Sequence, residues 1–239
     1  MFHLLFLDAP AALRRDSRLF WLATLVFFLS VVFAFIIVQI NAQAVLLIYD
    51  EQQLADFRRM YHPEWQVMMM QQRSSTGQFI FYLLNNNWVG IQLFLFGAML
   101  GVGTLLFLGY TGFSLGLMIG YLSAAGYSNT LWPTIMAHSS FEILAILLAA
   151  VAGMKWGFSL VLIASPVRRR EFGLRFAQSV LLLLNAIIFF AFAALIEAYW
   201  SSGFIASAQT KYIAGTLSWI ILTGYFLYFS CFARKDERG

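Results

Sequence analysis

Apolar residues are gathered into long runs along this chain, at 19–40, 88–108, 133–152, 176–197 and 212–232, with a shorter glycine-punctuated run at 112–125. A helix needs about 20 mostly apolar residues to cross roughly 30 Å of hydrocarbon, because it rises about 1.5 Å per residue. The pattern therefore predicts an all-α fold, a polytopic transmembrane bundle of about six spans in a single membrane domain over residues 1–239. The first span is 19–40, an extracytoplasmic segment follows at 41–87, a five-span core covers 88–232, and 233–239 forms a cytoplasmic tail. Arginines precede the first run and Ala42-Gln43-Ala44 follows it, as in a signal peptide. Its 22 residues nevertheless exceed the roughly 7–15 of a signal-peptide core. It reads as an uncleaved anchor.

The 41–87 segment is patterned differently. Leu54, Phe57 and Tyr61 recur at spacings of three and four, and after Pro63 the residues Trp65, Met68 and Met69 repeat the pattern. Such spacing lines one face of a helix, so two short amphipathic helices are expected at the membrane surface. They either cover the protein's own outer end or dock a partner outside.

Composition places the chain in the membrane class: 61% of residues are hydrophobic, 11% are charged, and the mean hydropathy is +0.77. Soluble domains carry about 25% charged residues, so a soluble enzyme is excluded. The net charge of +4 comes from Lys and Arg beside the apolar runs. The positive-inside rule produces such clusters, so anionic membrane lipids are the expected partner and nucleic acid is not. With the N-terminus inside, the inner segments hold ten basic residues, namely Arg14, Arg15, Arg18, Arg168, Arg169, Arg170, Arg175, Arg234, Lys235 and Arg238. The outer segments hold four: Arg58, Arg59, Arg73 and Lys211. Both termini are expected in the cytoplasm. The single cysteine, Cys231, allows no internal disulfide and fits no metal spacing.

Glycines mark the predicted helix contacts. Gly97 and Gly101 form GxxxG in the second run, and Gly112, Gly116 and Gly120 repeat every four residues in the third. Small residues on one face let backbones approach closely in lipid. The second and third spans are expected to pack as a hairpin turning at Gly109-Tyr110-Thr111, and the same glycine zipper also suits a homodimer.

Gly112-Phe113-Ser114-Leu115-Gly116 satisfies the GxSxG pattern, and His138 follows on a later helix, which raises a serine hydrolase built in the membrane. The pattern lies inside a helix rather than on a sharp strand-to-helix turn. The run boundaries also put Ser114 near the inner face and His138 near the outer one. No P-loop, HExxH or GxGxxG motif is present. The chain is expected to be no enzyme and to carry no cofactor or metal.

Ionisable and amide residues within spans are costly and usually line a cavity or pair with one another. His138 and Glu142 are four apart on one helix face, Glu197 ends the fifth run, and Asn85 and Asn86, with Asn87, precede the second. These groups are expected to converge on the outer half of the bilayer, as interhelical glue or as a proton or cation site. Lys155 lies 22 residues past Pro133, at the inner headgroups, where it serves with Arg168, Arg169 and Arg170 as an interface anchor. The stretch 133–164 is long for one span, so Gly153 and Gly157 are expected to break it, leaving 156–164 interfacial or re-entrant.

The order of these pieces resembles the stage II sporulation protein M family of bacterial membrane proteins. The matching stretches are YLLNNNWVGIQLFLFGAMLGVGT, TGFSLGLMIG, AHSSFEILAILLAAVAGMKWG and LIEAY, which carry Asn85, Asn86, His138, Glu142, Lys155 and Glu197. Ala137 and Ser139 stand where the family usually has proline and glycine beside the histidine, and Thr111 stands in place of an asparagine. The resemblance implies a polytopic scaffold in the bacterial inner membrane. It also implies protein partners, either cell-wall-degrading enzymes or MoxR-type AAA+ ATPases and von Willebrand factor A-like proteins. A non-catalytic scaffold or adaptor is the function expected; a small transporter or channel subunit using His138, Glu142 and Glu197 is the alternative.

Overall fold

The computed structural model describes residues 15–64, 75–201 and 206–231. The described residues form seven α-helices and no strand: α1 (Ser17–Ile40), α2 (Glu51–Tyr61), α3 (Ser75–Leu95), α4 (Val102–Ala124), α5 (Ser128–Ser159), α6 (Arg169–Ile196) and α7 (Ala208–Cys231). Five helical stretches, containing α1, α3, α4, α5 and α6, are long and apolar enough to cross a bilayer. The sixth predicted span falls on α7, which is 24 residues long. The spans alternate in direction, so one end of the bundle carries α2 and the other carries the start of α1.

Helix α5 is the hub. Of its most apolar stretch 72% is buried, against 22% for α1, because α5 packs on α1, α3, α4, α6 and α7 at once. Its alanines, Ala145, Ala149, Ala150 and Ala152, are fully buried and bring those neighbours close. By contrast α1 buries one stripe, Ala23, Phe27, Ala34 and Val38, and turns Trp21, Leu25, Leu29 and Phe33 outward. Such outward apolar surface is what a lipid-facing helix carries.

Several sequence boundaries move. Helix α3 runs through Asn85, Asn86 and Asn87 rather than starting after them, so the 41–87 segment does not extend to residue 87. The asparagines sit mid-helix with part of their hydrogen bonding met locally: Asn87 donates to the Leu83 carbonyl at 2.7 Å, and Asn85 donates to Asn86 at 3.2 Å. The turn after α3 then comes at Phe96–Ala98, not at Gly109-Tyr110-Thr111, which lies inside α4. Leu100 (φ 53°) and Gly101 (φ 77°) take left-handed backbone there. Orphan carbonyls at the end of α3 are capped from other helices: Thr104 donates to Leu93 O and Trp156 to Phe94 O, both at 2.9 Å.

The glycines also find different neighbours. Gly97 and Gly101 belong to this turn and do not form a helix face; they meet α5, where a Cβ on Gly157 would strike the Gly97 carbonyl and the Gly101 backbone. For the same reason Gly153 and Gly157 do not break α5. Helix α5 continues unbroken for 32 residues, and a Cβ on Gly153 would strike the Leu93 carbonyl and come within 2.6 Å of the Thr104 hydroxyl. The interfacial piece shrinks to the 3-10 turns Leu160–Ala164 and Pro166–Arg168. Gly112, Gly116 and Gly120 do share a face, but it packs on α1 rather than α3. A Cβ on Gly112 would sit 2.6 Å from the Phe27 carbonyl, one on Gly116 would strike the Val31 carbonyl, and one on Gly120 would sit 3.1 Å from Val38 Cβ. The zipper is consumed within the chain and is not free for a dimer.

In the 41–74 segment, α2 is amphipathic as its spacing predicts, with Leu54 and Tyr61 buried. A reciprocal capping box starts it: Asp50 accepts from the Gln53 backbone at 2.8 Å, and Gln53 accepts from the Asp50 backbone at 2.9 Å. The second amphipathic helix, around Trp65, Met68 and Met69, lies outside the described residues, as do Arg14, Arg73, and the tail with Arg234, Lys235 and Arg238.

Candidate functional site: a polar cluster beneath α2

The candidate site lies in the half of the bundle that carries α2. His138 is on α5, 6% exposed, with its Nδ1 3.0 Å from the Ser201 hydroxyl and its Nε2 3.5 Å from a Glu142 carboxylate oxygen. Ser201 closes a π-helical turn, Glu197–Ser201, that continues α6 and also carries Glu197. Widened turns of this kind recur at functional sites because they shift side chains off the α-helical register. The fully buried Ser201 accepts a 2.7 Å hydrogen bond at its carbonyl from Lys211 Nζ, which is itself buried at the start of α7. Ser139 ties α5 directly to α7 by accepting from Trp219 Nε1 at 3.1 Å.

Two tyrosines complete the cluster. Tyr61 enters from α2 and packs among Ile119, Leu122 and Leu131, while its carbonyl accepts from Thr130 at 2.7 Å. Burial first, then the charges of Glu197, Tyr82 and Glu142, push the Tyr61 phenol above its ordinary range, so it stays neutral. Glu142 and Glu197 also interact electrostatically with each other. Direct contacts join α5 (His138, Glu142), the π turn (Ser201) and α7 (Lys211), while Tyr61 of α2, Tyr82 of α3 and Glu197 of the π turn are near enough to interact electrostatically. Glu142 keeps 31% of its side-chain surface open within it, so the group is not sealed.

The predicted site residues separate into three places. His138, Glu142 and Glu197 come together. Asn86 lies one turn along α3 from Tyr82, is buried, and leaves its amide nitrogen without an acceptor among the described residues; Asn85 is exposed beside it. Lys155 is 7% exposed and pairs at 2.5 Å with Asp16, tying α5 to the start of α1 at the opposite end. Arg168, Arg169 and Arg170 are exposed at that end. The sequence reading missed Tyr61 as a cluster member, along with Tyr82, Ser201, Lys211 and Asp16. The signals available were the four-residue step from Glu197 to Ser201 and the lone acidic residue among the first arginines.

Ser114 also needs relocation. Because α4 starts at Val102, Ser114 and His138 lie at matching depths, each ten residues and so about 15 Å from its helix terminus at the α2 end. Depth does not separate them, but their partners do. The Ser114 hydroxyl is 2.5 Å from the Tyr49 hydroxyl, whereas His138 is engaged by Ser201 and Glu142. Burial pushes the Tyr49 phenol up, which makes it a poor base for activating a serine. Among the described residues, no group of three or more His, Cys, Asp or Glu is placed to hold a metal ion.

The chain matches a known family model, Stage II sporulation protein M, over residues 23–202. The chain belongs to the Stage II sporulation protein M family. Among curated proteins, an uncharacterized protein of Methanocaldococcus jannaschii is 32% identical over 120 residues, which is 49% of this chain and 67% of the relative. No solved structure matches the chain. The family match spans the α1–α4 glycine seam and the cluster residues from Tyr61 to Ser201, but not Lys211.

Proposed function

We propose that this chain is a non-catalytic scaffold or adaptor of the bacterial inner membrane, with both termini in the cytoplasm and α2 outside. The observation that carries the reading is how its reactive side chains are used. Ser114 is held by Tyr49, and His138 by Ser201 and Glu142, so each is committed to a contact between elements rather than to a nucleophile and base pair. Membership of the Stage II sporulation protein M family supports assembly as the task. By the family resemblance, the protein partners are cell-wall enzymes or a MoxR-type ATPase; anionic lipids bind the exposed Arg168, Arg169 and Arg170. Homodimerisation belongs to the same proposal and must use lipid-facing helix surfaces, since the Gly116 face is occupied by α1.

The alternative, a transporter or channel subunit, has one specific observation in its favour: Glu142 retains open side-chain surface at a depth where an ionisable group is costly. Native-detergent copurification with mass spectrometry, run beside proton flux in liposomes, separates the two. The scaffold reading expects a stoichiometric protein partner and no flux. Flux in the unsubstituted chain that disappears in Glu142→Gln, without a partner, overturns it. Cysteine labelling from outside in a Cys231→Ser background tests the orientation, which requires position 65 to be tagged and position 169 to be protected.

A further inference from the structure

We propose that the outward face of α3 is the surface through which two copies of this chain pair in the membrane, with Asn85 of one copy hydrogen-bonded to Asn85 of the other. The proposal gives a surface to the homodimer of the reading above and rests on that part of it alone.

The first observation is a mismatch between composition and place. The most apolar stretches of α1 and α3 are equally open, with 22% buried in each, yet the α3 stretch is the least apolar of the five that can cross the bilayer. A helix side covered by lipid is apolar, as Trp21, Leu25, Leu29 and Phe33 make it on α1. On α3 the amides Gln78, Asn85 and Gln92 recur every seven residues, and Phe81, Trp88 and Leu95 alternate with them at the same interval. Seven residues are close to two helical turns, so all six lie on one stripe. None of the six is buried, and Phe81, Trp88 and Leu95 are each more than half exposed. The stripe faces away from the bundle because the other side of α3 is occupied. Asn86, Gly90 and Leu93 are buried there, and a Cβ on Gly90 would stand 2.7 Å from the Phe190 ring and 3.7 Å from Ala149 Cβ.

The second observation is depth. Asn85 is ten residues from each end of the 21-residue α3, which is about 15 Å from either end. So short a side chain does not reach the headgroups from there as a lysine does, and lipid tails offer it no partner. Within the chain Asn85 donates to Asn86 at 3.2 Å, which leaves its own carbonyl oxygen and second N–H open.

A second copy of the chain meets those needs. A carboxamide is donor and acceptor at once and so is complementary to itself, and a two-fold axis along the membrane normal sets both copies of Asn85 at one depth. Amide pairing between helices drives their association in lipid. Phe81 and Trp88 supply apolar contact to either side, and Gln78 and Gln92, about 10 Å above and below Asn85, repeat the amide match. Because the stripe repeats every seven residues, the two α3 helices cross with a left-handed twist.

The test uses the purified full chain in liposomes, in the Cys231→Ser background and with no partner added. Donor and acceptor dyes on Gln52→Cys, exposed on α2, report pairing by energy transfer as the chain is diluted with lipid. Asn85→Leu is expected to need about tenfold more protein per lipid than the parent for the same transfer, and Asn85→Gln, which keeps the amide, to stay within about threefold. An unshifted Asn85→Leu, or equal shifts for Leu and Gln, overturns the pairing. Oxidation of Phe81→Cys or Trp88→Cys, each the single cysteine, is expected to give a covalent dimer, whereas Leu29→Cys near the middle of α1 gives none. These cross-links keep Asn85, so they decide the surface even where Asn85→Leu does not fold. No transfer at any protein density overturns both the homodimer and this surface. A dimer that cross-links at 29 and at neither 81 nor 88 overturns the surface and leaves the homodimer standing.

Discussion

At the glycine seams, helices meet backbone to backbone, whereas beneath α2 they meet through an imidazole, carboxylates, hydroxyls and an ammonium. The seams are Gly112, Gly116 and Gly120 on α1, and Gly97, Gly101, Gly153 and Gly157 between the α3–α4 turn and α5. Their stability comes from shape, through many weak contacts that exist only when no Cβ intervenes. The cluster depends on a small number of directional contacts among groups that would be costly alone in lipid. A shape-based contact fails when any atom is added. A polar contact tolerates a new side chain of the same size and hydrogen-bonding capacity, and fails when one member is left unpaired.

Substitutions at four places sharpen or break that contrast, each read as thermal unfolding in detergent followed by size exclusion. The largest effect is expected at the seam. Gly116→Leu drives a branched side chain into the Val31 carbonyl and toward Ala34 Cβ, 2.9 Å from where its own Cβ would stand, and destabilises by about 3 kcal/mol or more. An unchanged melting profile would show that α1 does not pack on this face. Next is Lys155→Met, which strands Asp16 in a largely buried place and costs about 2 kcal/mol. Adding Asp16→Asn should restore most of that loss, and a double variant no better than the single one would deny the pair its role. At the cluster, Glu142→Leu leaves His138 without its partner and costs about 1–2 kcal/mol, while Glu142→Gln costs under about 0.5 kcal/mol. Equal losses for Leu and Gln would mean that charge, not hydrogen bonding, holds this region. A smaller effect than that of Glu142→Leu is expected for Tyr49→Phe, which removes the contacts of the Tyr49 hydroxyl with the Ser114 carbonyl and hydroxyl and costs about 1 kcal/mol.

The errors in reading the sequence share one cause. A run of asparagines looks like a boundary when hydropathy sets the limits, yet Asn85 and Asn87 each place an amide donor within one turn of α3, and the helix passes through. Once that boundary slips, the turn slips from Phe96–Ala98 to residue 109, Ser114 moves from mid-helix to a membrane face, and the zipper is given the wrong partner. Gly153 and Gly157 look like breaks for a related reason. Glycine weakens a helix in isolation, but in α5 the loss is offset by contacts that only a missing side chain allows.

What the sequence determined by itself was everything that depends on composition and period. The all-α class, the membrane spans, the amphipathic α2 with Leu54 and Tyr61 on one face, and the pairing of His138 with Glu142 follow from local spacing and from the energy of burying apolar surface. Only the tertiary structure decided which glycine face meets which helix, that Lys155 finds Asp16 across the bundle, and that Tyr61, Tyr82, Ser201 and Lys211 join the polar cluster. The physical reason is that in lipid every span is apolar, so hydropathy does not distinguish one neighbour from another. Partners are selected by steric fit and by the satisfaction of a few polar groups, and both depend on residues far apart in the chain.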